Sequence, residues 1–556
     1  MHTSGPEVPS VTINITLNAP FVTDTRQELR PKVVGPQFIE TQRPKVLIVG
    51  GSIGGLALGV LLQKAGVEFL ILERVPYFDH ADTAIFLNST TQKFLKQIDA
   101  WDEIMTHAKF TKSIVVANED RKVEYALEFG DQISLFGSNG YIVPRRILHN
   151  ILVSRIERRN IVMKKRVLSY IPGDRYVTVR CASGDLITCD ILVGADGVYS
   201  AVRQTLYHEL EAKGLLPSKD SEEIILSTVS LVGQTIPLDP EKFPSIKDEH
   251  CHFMRIVGDN KPYSAMDMAY EVMNFPIITG GPGEPTMYDL LKKTTVSMKK
   301  VVLEEKLFKT WHHGRVVLLG NACHKMNPSG GSGATNAIHD AISLANYIVS
   351  LPHWCEQVDI EHRFKAYQDE RMPWIKESYD SSKVFKGMVE KSFKATIIRL
   401  CSKVMNGIVA RNVMMKMGAN RPQAAFLEYV PDTGTVPSAP QPSYAFTKEI
   451  LDDWGLNDTL VDVTLVQAQA TNSKKAMDSE QAPSSIELVA QRPMNKELIK
   501  MAHASSAHAD IVKASAVVSA LSAAKSAAQL AAVPKSALET FQDTPSKVKK
   551  PLENVI

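Results

Sequence analysis

Two glycine-rich segments of this chain have the composition of loops that bind phosphate groups. The first, GGSIGG, ends at Gly55, and the second, NPSGGSGATNA, contains Gly331 and Gly333. Glycine lets the backbone approach a ligand closely and present its amide N–H to an anion. Both segments therefore predict contacts to a phosphorylated or otherwise electron-rich ligand.

Side chains that accept hydrogen bonds stand at the ends of apolar runs near these glycines. Glu73 ends VEFLILE, Asp196 and Gly197 follow DILVGA, and Asn321 follows RVVLLG. A carboxylate about 20 residues after a glycine loop accepts hydrogen bonds from ribose hydroxyls. The amide of Asn321 offers an acceptor and a donor without charge.

The elements that must position these residues are strands and helices in alternation. KVLIVG, LALGVLLQKAG and VEFLILE have the patterns of a buried strand, a helix and a second strand, which together form a βαβ unit. The fingerprint G-x-G-x-x-G is present with Gly50 first, Ser52 at the middle position and Gly55 last. The unit predicts a dinucleotide site and does not by itself decide between FAD and NAD(P).

Three segments are named here in chain order: the first loop is GGSIGG (50–55), the second loop follows DILVGA at Asp196 and Gly197, and the third loop runs from Asn321 to Ala334. In this order and at these distances they resemble the class A FAD-dependent monooxygenases, such as p-hydroxybenzoate hydroxylase and salicylate hydroxylase. The GGSIGGL form of the first loop and the HKMNP sequence after Asn321 are most similar to the fungal secondary-metabolism branch. The resemblance covers residues from about 44 to 430. It implies an α/β fold in which a Rossmann-type FAD-binding domain is interleaved with a smaller β-sheet substrate domain.

The resemblance also implies cofactor contacts for particular residues. The first loop and Glu73 would bind the ADP part of FAD, and Arg145, in an R-x-x-L-x-x-x-L pattern, would reach the flavin side. Asp196 would support FAD and contact NAD(P)H, and Asn321 would bind the ribityl chain. The implied cofactor-binding residues are Gly50, Ser52, Gly55, Glu73, Ala84, Arg145, Asp196, Gly197, Asn321, Pro328, Gly331, Gly333 and Ala334.

The activity implied by the resemblance is monooxygenation. NAD(P)H would reduce FAD, O2 would add at flavin C4a, and the hydroperoxide would hydroxylate or epoxidise an apolar aromatic or terpenoid-like small molecule. No metal and no protein nucleophile is implied, and the sequence identifies no catalytic residue.

Departures from the family pattern keep two alternatives open. Asn321 stands where an acid is usual in the family, and it is expected to weaken FAD binding by about 1 kcal/mol. Asp82 and Thr83 stand where a glycine-rich turn is common. The alternatives are a flavin oxidase or reductase on the same fold, and a catalytically decayed flavoprotein that acts as a binding protein.

Several histidines invite a catalytic or metal-binding interpretation, and structural roles are preferred for each. His324 predicts a loop side chain that caps backbone groups, and His312 with His313 predicts a turn before a strand. Asp340, on the helix after the third loop, predicts a structural contact between helix and loop.

Composition restricts the class of protein. The chain of 556 residues has 44% apolar residues, 22% charged residues and a net charge of +2, which disfavours a nucleic-acid partner. The six cysteines lack CxxC spacing, and the N-terminus lacks a signal-peptide pattern. These features predict a cytoplasmic protein, and the resemblance implies that it acts on a small molecule with O2; its oligomeric state is left open.

The amino-acid composition and the apolar pattern change along the chain, and these changes predict its domains. A flexible leader (1–43) precedes the first part of the FAD-binding domain (44–205), the substrate-facing sheet (206–310) and the second part of the FAD-binding domain (311–382). Amphipathic helices (383–430) follow, and then a Pro-rich segment and a low-complexity Ala/Ser/Lys tail (431–556). The Pro-rich segment is expected to be extended, and residues 470–556 are expected to be disordered.

Residues 383–417 have apolar residues at helical spacing and Lys or Arg on the other face. The preferred interpretation is a helix, or two, packed on the cofactor domain. The alternative is a basic amphipathic surface that makes a peripheral membrane contact.

Overall fold

The computed structural model describes residues 45–78, 84–111, 113–118, 123–128, 132–232, 239, 241, 253–257, 299–327, 331–352, 355–389 and 415–455. All of them belong to one compact unit, Met1–Ala468, and the second unit, Gln469–Ile556, lies outside the described residues. Predictions for the leader, the tail, Pro328 and the turn at Asp82 also lie outside the described residues.

The strands alternate with helices as the sequence predicts. In chain order they are β1 (Val46–Val49), β2 (Phe69–Leu72), β3 (Ala84–Leu87), β4 (Lys109–Phe110), β5 (Ser113–Asn118), β6 (Val123–Glu128), β7 (Tyr141–Pro144), β8 (Ile161–Val162), β9 (Val167–Ile171), β10 (Val177–Cys181), β11 (Leu186–Cys189), β12 (Ile191–Gly194), β13 (Ile225–Val232), β14 (Phe253–Val257), β15 (Lys299–Leu307), β16 (His312–His313), β17 (Val316–Leu318) and β18 (His324–Lys325).

The helices flank these strands, with short 3-10 turns at Ser89–Thr91, Arg158–Asn160 and Gly320–Ala322. In chain order they are α1 (Ile53–Lys64), α2 (Gln92–Gln97), α3 (Trp101–Met105), α4 (Gln132–Phe136), α5 (Arg145–Ser154), α6 (Ala201–Ala212), α7 (Ser218–Ser221), α8 (Gly333–Val349), α9 (Gln357–Val389) and α10 (Pro442–Asp453).

A six-stranded sheet in the order β16-β17-β12-β1-β2-β8 forms the centre of the region that is predicted to bind the cofactor. Its pairings are parallel except for that of β16 with β17. Strands β1, β2 and β12 are buried along their whole length. This burial explains their uninterrupted apolar sequences, because strands of a parallel sheet are covered on both faces. The predicted α/β class is confirmed.

Smaller three-stranded sheets accompany the central one. The strands β13 and β14 confirm two of the strands predicted for the substrate-facing region, and β13 pairs with β15 in the order β13-β15-β18. The third predicted strand, AYEVMNFPI, lies outside the described residues. The boundary predicted after residue 205 falls inside α6, and the boundary after 382 falls inside α9.

One local prediction is wrong, and one helix is not predicted by the sequence. His312 and His313 form the short strand β16, antiparallel to β17, and not a turn, because their backbone pairs with Val316 and Val317. The Pro-rich stretch after residue 430 is irregular as expected, but it ends in α10, which begins at Pro442. Proline is favourable at the first turn of a helix, where its missing N–H has no intrahelical partner to lose.

Residues 390–414, most of the predicted amphipathic surface, lie outside the described residues. Among the helices that are described, none is both long and apolar enough to cross a membrane.

Candidate functional site

The three predicted cofactor segments follow three neighbouring strands of the central sheet. Strands β17, β12 and β1 are adjacent and parallel, so their carboxyl ends lie at one edge. The backbone N–H of Ala195 donates to the carbonyl of Val49 (2.8 Å), and that of Leu319 donates to the carbonyl of Gly194 (2.9 Å). The carboxyl edge of such a sheet is where ligands bind in α/β folds.

The first loop requires glycine where the sequence has it. Gly50 has φ +108°, and a Cβ there would lie 2.5 Å from the carbonyl oxygen of Ala195, at the start of the second loop. A Cβ at Gly55 would lie 2.1 Å from the carbonyl oxygen of Gly50. Ser52, at the middle position of the fingerprint, is exposed. The backbone of the first loop therefore packs closely against the second loop, and Ser52 is exposed.

Glu73 holds the first loop in place. Its carboxylate accepts hydrogen bonds from the backbone N–H of Gly51 (2.7 Å) and of Val75 (3.1 Å). A carboxylate has about four acceptor sites, so two such bonds leave capacity for ribose hydroxyls. His149 on α5, which sequence analysis did not identify, is buried and donates from Nε2 to the carbonyl of Gly51 (2.8 Å).

Two helix N-termini face this edge without side-chain caps. Within the described part of the chain, neither Ser52 before α1 nor Ser332 before α8 makes a side-chain capping bond, and neither first turn contains an acid. Free N–H groups and the helix dipole favour an anion or a carbonyl oxygen at such ends. Gly331 is exposed, a Cβ at Gly333 would meet no atom within 4 Å, and Ala334 is half-buried.

The second loop combines a helix cap with an unsatisfied acceptor. Asp196 Oδ2 accepts from the backbone N–H of Ala201 (2.7 Å) at the start of α6. Asp196 Oδ1 is buried and has no hydrogen-bond partner among the described residues. Burial raises the pKa of Asp196 against the opposing effect of its hydrogen bonds. The adjacent Gly197 has φ +84°, and open space lies where its Cβ would be.

Arg203 ties the second loop to the third, a role that sequence analysis did not assign to it. Its guanidinium donates to the carbonyl oxygens of Ala322 (2.9 Å) and Val198 (2.5 Å). It also lies 4.1 Å from the ring centroid of Phe308. Burial lowers the pKa of Arg203, yet the planar fork of a guanidinium suits two carbonyls at once.

Asn321 lies in the 3-10 turn Gly320–Ala322 directly after β17. It is half-buried, and its side chain makes no hydrogen bond to any part of the chain that the structure describes. A polar side chain in such a place gains from a ligand partner, because an unsatisfied amide costs free energy as it is desolvated.

Ala84 and Arg145 lie at the same end of the strand pair β3–β7. Ala84 pairs with Pro144, the residue before Arg145, which is the first residue of α5. Arg145 is half-buried, burial lowers its pKa, and it has no acceptor among the described residues. Lys325 lies within electrostatic range of Arg145. Burial lowers the pKa of Lys325, the charge of Glu304 opposes this shift, and the charge of Arg145 adds to it.

A buried cluster of Cys323, His324 and Asp340 has the residue types of a metal site. Its chemistry favours a structural hydrogen-bond cluster instead. Burial raises the pKa of the Cys323 thiol well above its usual value, whereas a metal needs the thiolate. The carboxylate of Asp340 already accepts from Arg371 Nε (2.9 Å) and from His324 Nε2 (2.6 Å). The structural role predicted for Asp340 agrees with these contacts. His324, predicted to cap backbone groups, bonds instead to a carboxylate.

The residues at this edge fit a dinucleotide of the FAD type. Uncapped helix N-termini suit the pyrophosphate and the pyrimidine edge. The buried, unsatisfied oxygen of Asp196 and the unpartnered amide of Asn321 suit hydroxyl groups, and Arg145 suits an anionic or carbonyl acceptor. Pro328 lies outside the described residues and takes no part in this comparison.

Known proteins support the same assignment. Residues 43–232 and 285–382, just over half of the chain, match the FAD binding domain family. The FAD-dependent monooxygenase cle3 of Aspergillus versicolor is 26% identical over 430 residues, covering 69% of this chain and 84% of that protein. The FAD-dependent monooxygenase ctvC of Aspergillus terreus is 25% identical over 370 residues, covering 61% and 76%.

A solved structure shows the same fold. The crystal structure of Klebsiella pneumoniae HpxO, complexed with FAD and uric acid, has a TM-score of 0.55 and 18% identity to this chain. The alignment covers 68% of this chain and 97% of that one. With its three loops at one sheet edge, the chain therefore belongs to the FAD binding domain family and is an FAD-dependent monooxygenase.

Proposed function

We propose that this monooxygenase uses NAD(P)H and O2 to hydroxylate or epoxidise an apolar aromatic or terpenoid-like small molecule. The observation that carries the proposal is the convergence of the three loops, with Gly50 against Ala195 and Arg203 bonded to Ala322. The low charge of the strand sequences FMRIVG and STVSLVG supports an apolar substrate.

Each loop has a proposed role in holding FAD. The residues from Gly50 to Gly55 and Glu73 bind the ADP part, and the N-terminus of α1 faces the pyrophosphate. Asn321 binds the ribityl chain. The backbone at Gly331, Gly333 and Ala334 binds the pyrimidine edge at the N-terminus of α8. The fit of Pro328 to the same edge remains a sequence prediction.

The remaining contacts come from the second loop and from α5. Asp196 and Gly197 support FAD and receive NAD(P)H, and Arg145 with Ala84 contacts the flavin side. Bound FAD supplies the electron transfer from NAD(P)H and the activation of O2 that amino-acid side chains cannot supply. The chain itself positions the ring and excludes water from it.

A spectrum and a stoichiometry test this proposal. The purified protein is expected to be yellow, or to become so on addition of FAD, and to oxidise NADPH or NADH in air. With a true substrate, NAD(P)H consumption is matched by an oxygenated product that carries ¹⁸O from ¹⁸O2. Hydrogen peroxide equal to the NAD(P)H consumed, with no oxygenated product, favours the oxidase alternative. A colourless protein that takes up no FAD contradicts the proposal.

Residues 383–417 support a separate proposal of peripheral membrane contact, which rests on their basic amphipathic sequence. Co-sedimentation with anionic liposomes of the full chain and of a variant lacking 383–417 tests it. Binding by the full chain alone is the expected result, and the absence of binding by either protein rejects the idea.

A further inference from the structure

The turn that carries Asn321 is held on both sides by one carboxylate of α8. Asp340 Oδ2 accepts from the backbone N–H of Gly320 (3.2 Å) and from Nε2 of His324 (2.6 Å). Nε2 is the donor, because an ionised carboxylate only accepts. The side chains of Asp340 and His324 are fully buried, so water does not replace these bonds.

A second helix balances the charge of this carboxylate. Arg371 on α9 donates from Nε to Asp340 Oδ1 (2.9 Å) and from its terminal nitrogen to Asn336 Oδ1 (3.3 Å). Burial opposes ionisation of Asp340, but the charges and hydrogen bonds of His324 and Arg371 lower its pKa. The carboxylate of Asp340 on α8 therefore connects the turn to Arg371 on α9 through hydrogen bonds.

We infer that His324 is a positioning residue for the cofactor, which acts by fixing the turn of Asn321 against Asp340. The inference rests on the proposed contact between Asn321 and FAD. Gly320 precedes Asn321 directly and His324 follows it by three residues, so both ends of the short segment bind to one acceptor. An amide fixed in this way loses less conformational entropy when it binds a ligand hydroxyl.

The strand before the turn has separate support. Tyr367 donates to the carbonyl of Leu318 (3.2 Å), and the backbone N–H of Leu319 donates to the carbonyl of Gly194 (2.9 Å). Removing the His324 contact therefore frees one end of the turn, while the Gly320 contact and the end of β17 stay in place. The effect on FAD can then be measured on a folded protein.

Titration of the FAD-free full-length protein with FAD, followed by flavin fluorescence, tests the inference. His324→Leu removes the donor and is expected to raise the FAD dissociation constant about tenfold. His324→Gln keeps an N–H at similar reach and is expected to recover most of the affinity. His312→Leu is the matched control, because His312 packs on Phe364, which lies on α9 together with Arg371, and has no hydrogen bond to the turn among the described residues. Its FAD affinity is expected to be unchanged.

The inference requires that the loss of FAD affinity in His324→Leu depends on the side chain of Asn321. In an Asn321→Ala background, His324→Leu is expected to change FAD affinity by less than about twofold, because the contact it positions is already lost. An equal tenfold loss in both backgrounds, or in His312→Leu, overturns the inference and indicates a general structural role. Wild-type protein that binds no FAD contradicts the proposed function instead, so the two failures are distinguishable.

Discussion

At the scale of single residues, Asn321 is where this chain departs most clearly from the usual acid. A charged acceptor binds a hydroxyl more strongly than an amide does, so Asn321→Asp is expected to tighten FAD binding about tenfold. Equilibrium titration of the FAD-free protein measures the effect, with Asn321→Ala as a control that should weaken binding. Equal or weaker binding by Asn321→Asp would show that the side chain does not face a ribityl hydroxyl.

A second residue, His339, contributes to the pH dependence of stability. Burial, aided by the charge of Arg371, lowers its pKa to about 3. Its Nε2 donates to the carbonyl of Thr90 (3.1 Å), and Nδ1 accepts from Asn420 (3.4 Å), so the native ring is neutral. The unfolded chain binds a proton below its ordinary pKa of about 6.5. The contribution to stability is therefore complete above that pH and decreases as the pH falls toward the folded value.

His339→Gln removes this titration and retains a donor toward Thr90. Between pH 7 and pH 5 the variant is expected to lose about 2 kcal/mol less unfolding free energy than the wild type does. Urea denaturation of the FAD-free proteins at both pH values measures the difference. The same pH dependence in both proteins would mean that His339 is not kept neutral by the fold.

Single residues also show what sequence alone could establish at the site. Gly50, Gly55 and Glu73 follow a local pattern of about 20 residues, and the structure places them together at one loop. His149 and Arg203 contact residues 98 and 119 positions away along the chain. No local pattern specifies such contacts, because only the packing of separate elements brings the partners together.

At the scale of elements, the first two loops are joined by a close backbone contact that only glycine permits. Gly50→Ala places a methyl group against the carbonyl of Ala195 and also strains φ, so it should destabilise the protein by more than about 2 kcal/mol. Gly197→Ala meets open space and should cost only the backbone strain, about 1–2 kcal/mol. Its methyl group would enter the proposed cofactor space. The loss of FAD-binding free energy should therefore exceed the loss of unfolding free energy.

Thermal unfolding of the FAD-free proteins and FAD titration separate these two effects. Equal stability of the two variants would contradict the close contact between the loops. Unchanged FAD affinity of Gly197→Ala, in a folded protein, would show that the open space at Gly197 is not part of the cofactor site.

Elements were predicted well where apolar periodicity determines them. Strand β1, helix α1 and strand β2 were expected from their apolar patterns and lie where expected. Helix α10 is not predicted by the sequence, and polar groups attach it to the core in addition to the apolar contacts of Leu451 and Phe446. Ser443 donates to Glu370, and Thr447 donates to the carbonyl of Asn346 on α8 (2.8 Å). Apolar spacing carries no information about contacts of this kind.

At the scale of the whole molecule, the folded unit extends beyond the family match, which ends at residue 382. Residues 415–455 lie against earlier elements through buried polar contacts. Gln97 on α2 donates to the carbonyl of Ala424 (2.9 Å) and accepts from its N–H (2.8 Å). The N–H of Val436 donates to the carbonyl of Leu135 on α4 (2.9 Å). These contacts make the segment an integral part of the cofactor-binding unit.

Asp432 is the charge at the centre of this attachment. It binds Lys93 of α2 (3.0 Å) and Arg421 (3.0 Å), both almost fully buried, and accepts from Ser438 (2.8 Å). Although burial opposes ionisation, the hydrogen bonds from Ser438 and Lys93 hold the pKa of Asp432 well below its usual value. Asp432→Asn leaves two buried cations without their counter-charge, which typically costs about 3 kcal/mol or more.

The loss of unfolding free energy in Asp432→Asn is expected to appear in a single transition, because α2 and residues 415–455 are expected to unfold as one cooperative unit. Chemical denaturation followed by circular dichroism and by tryptophan fluorescence measures both the free energy and the coincidence of the two signals. Asp452→Asn is the matched control, because its pair with Lys448 is partly exposed and should contribute less than about 0.5 kcal/mol. If Asp432→Asn unfolds in two separate steps, or as stably as Asp452→Asn, the segment is attached to the unit without being part of it.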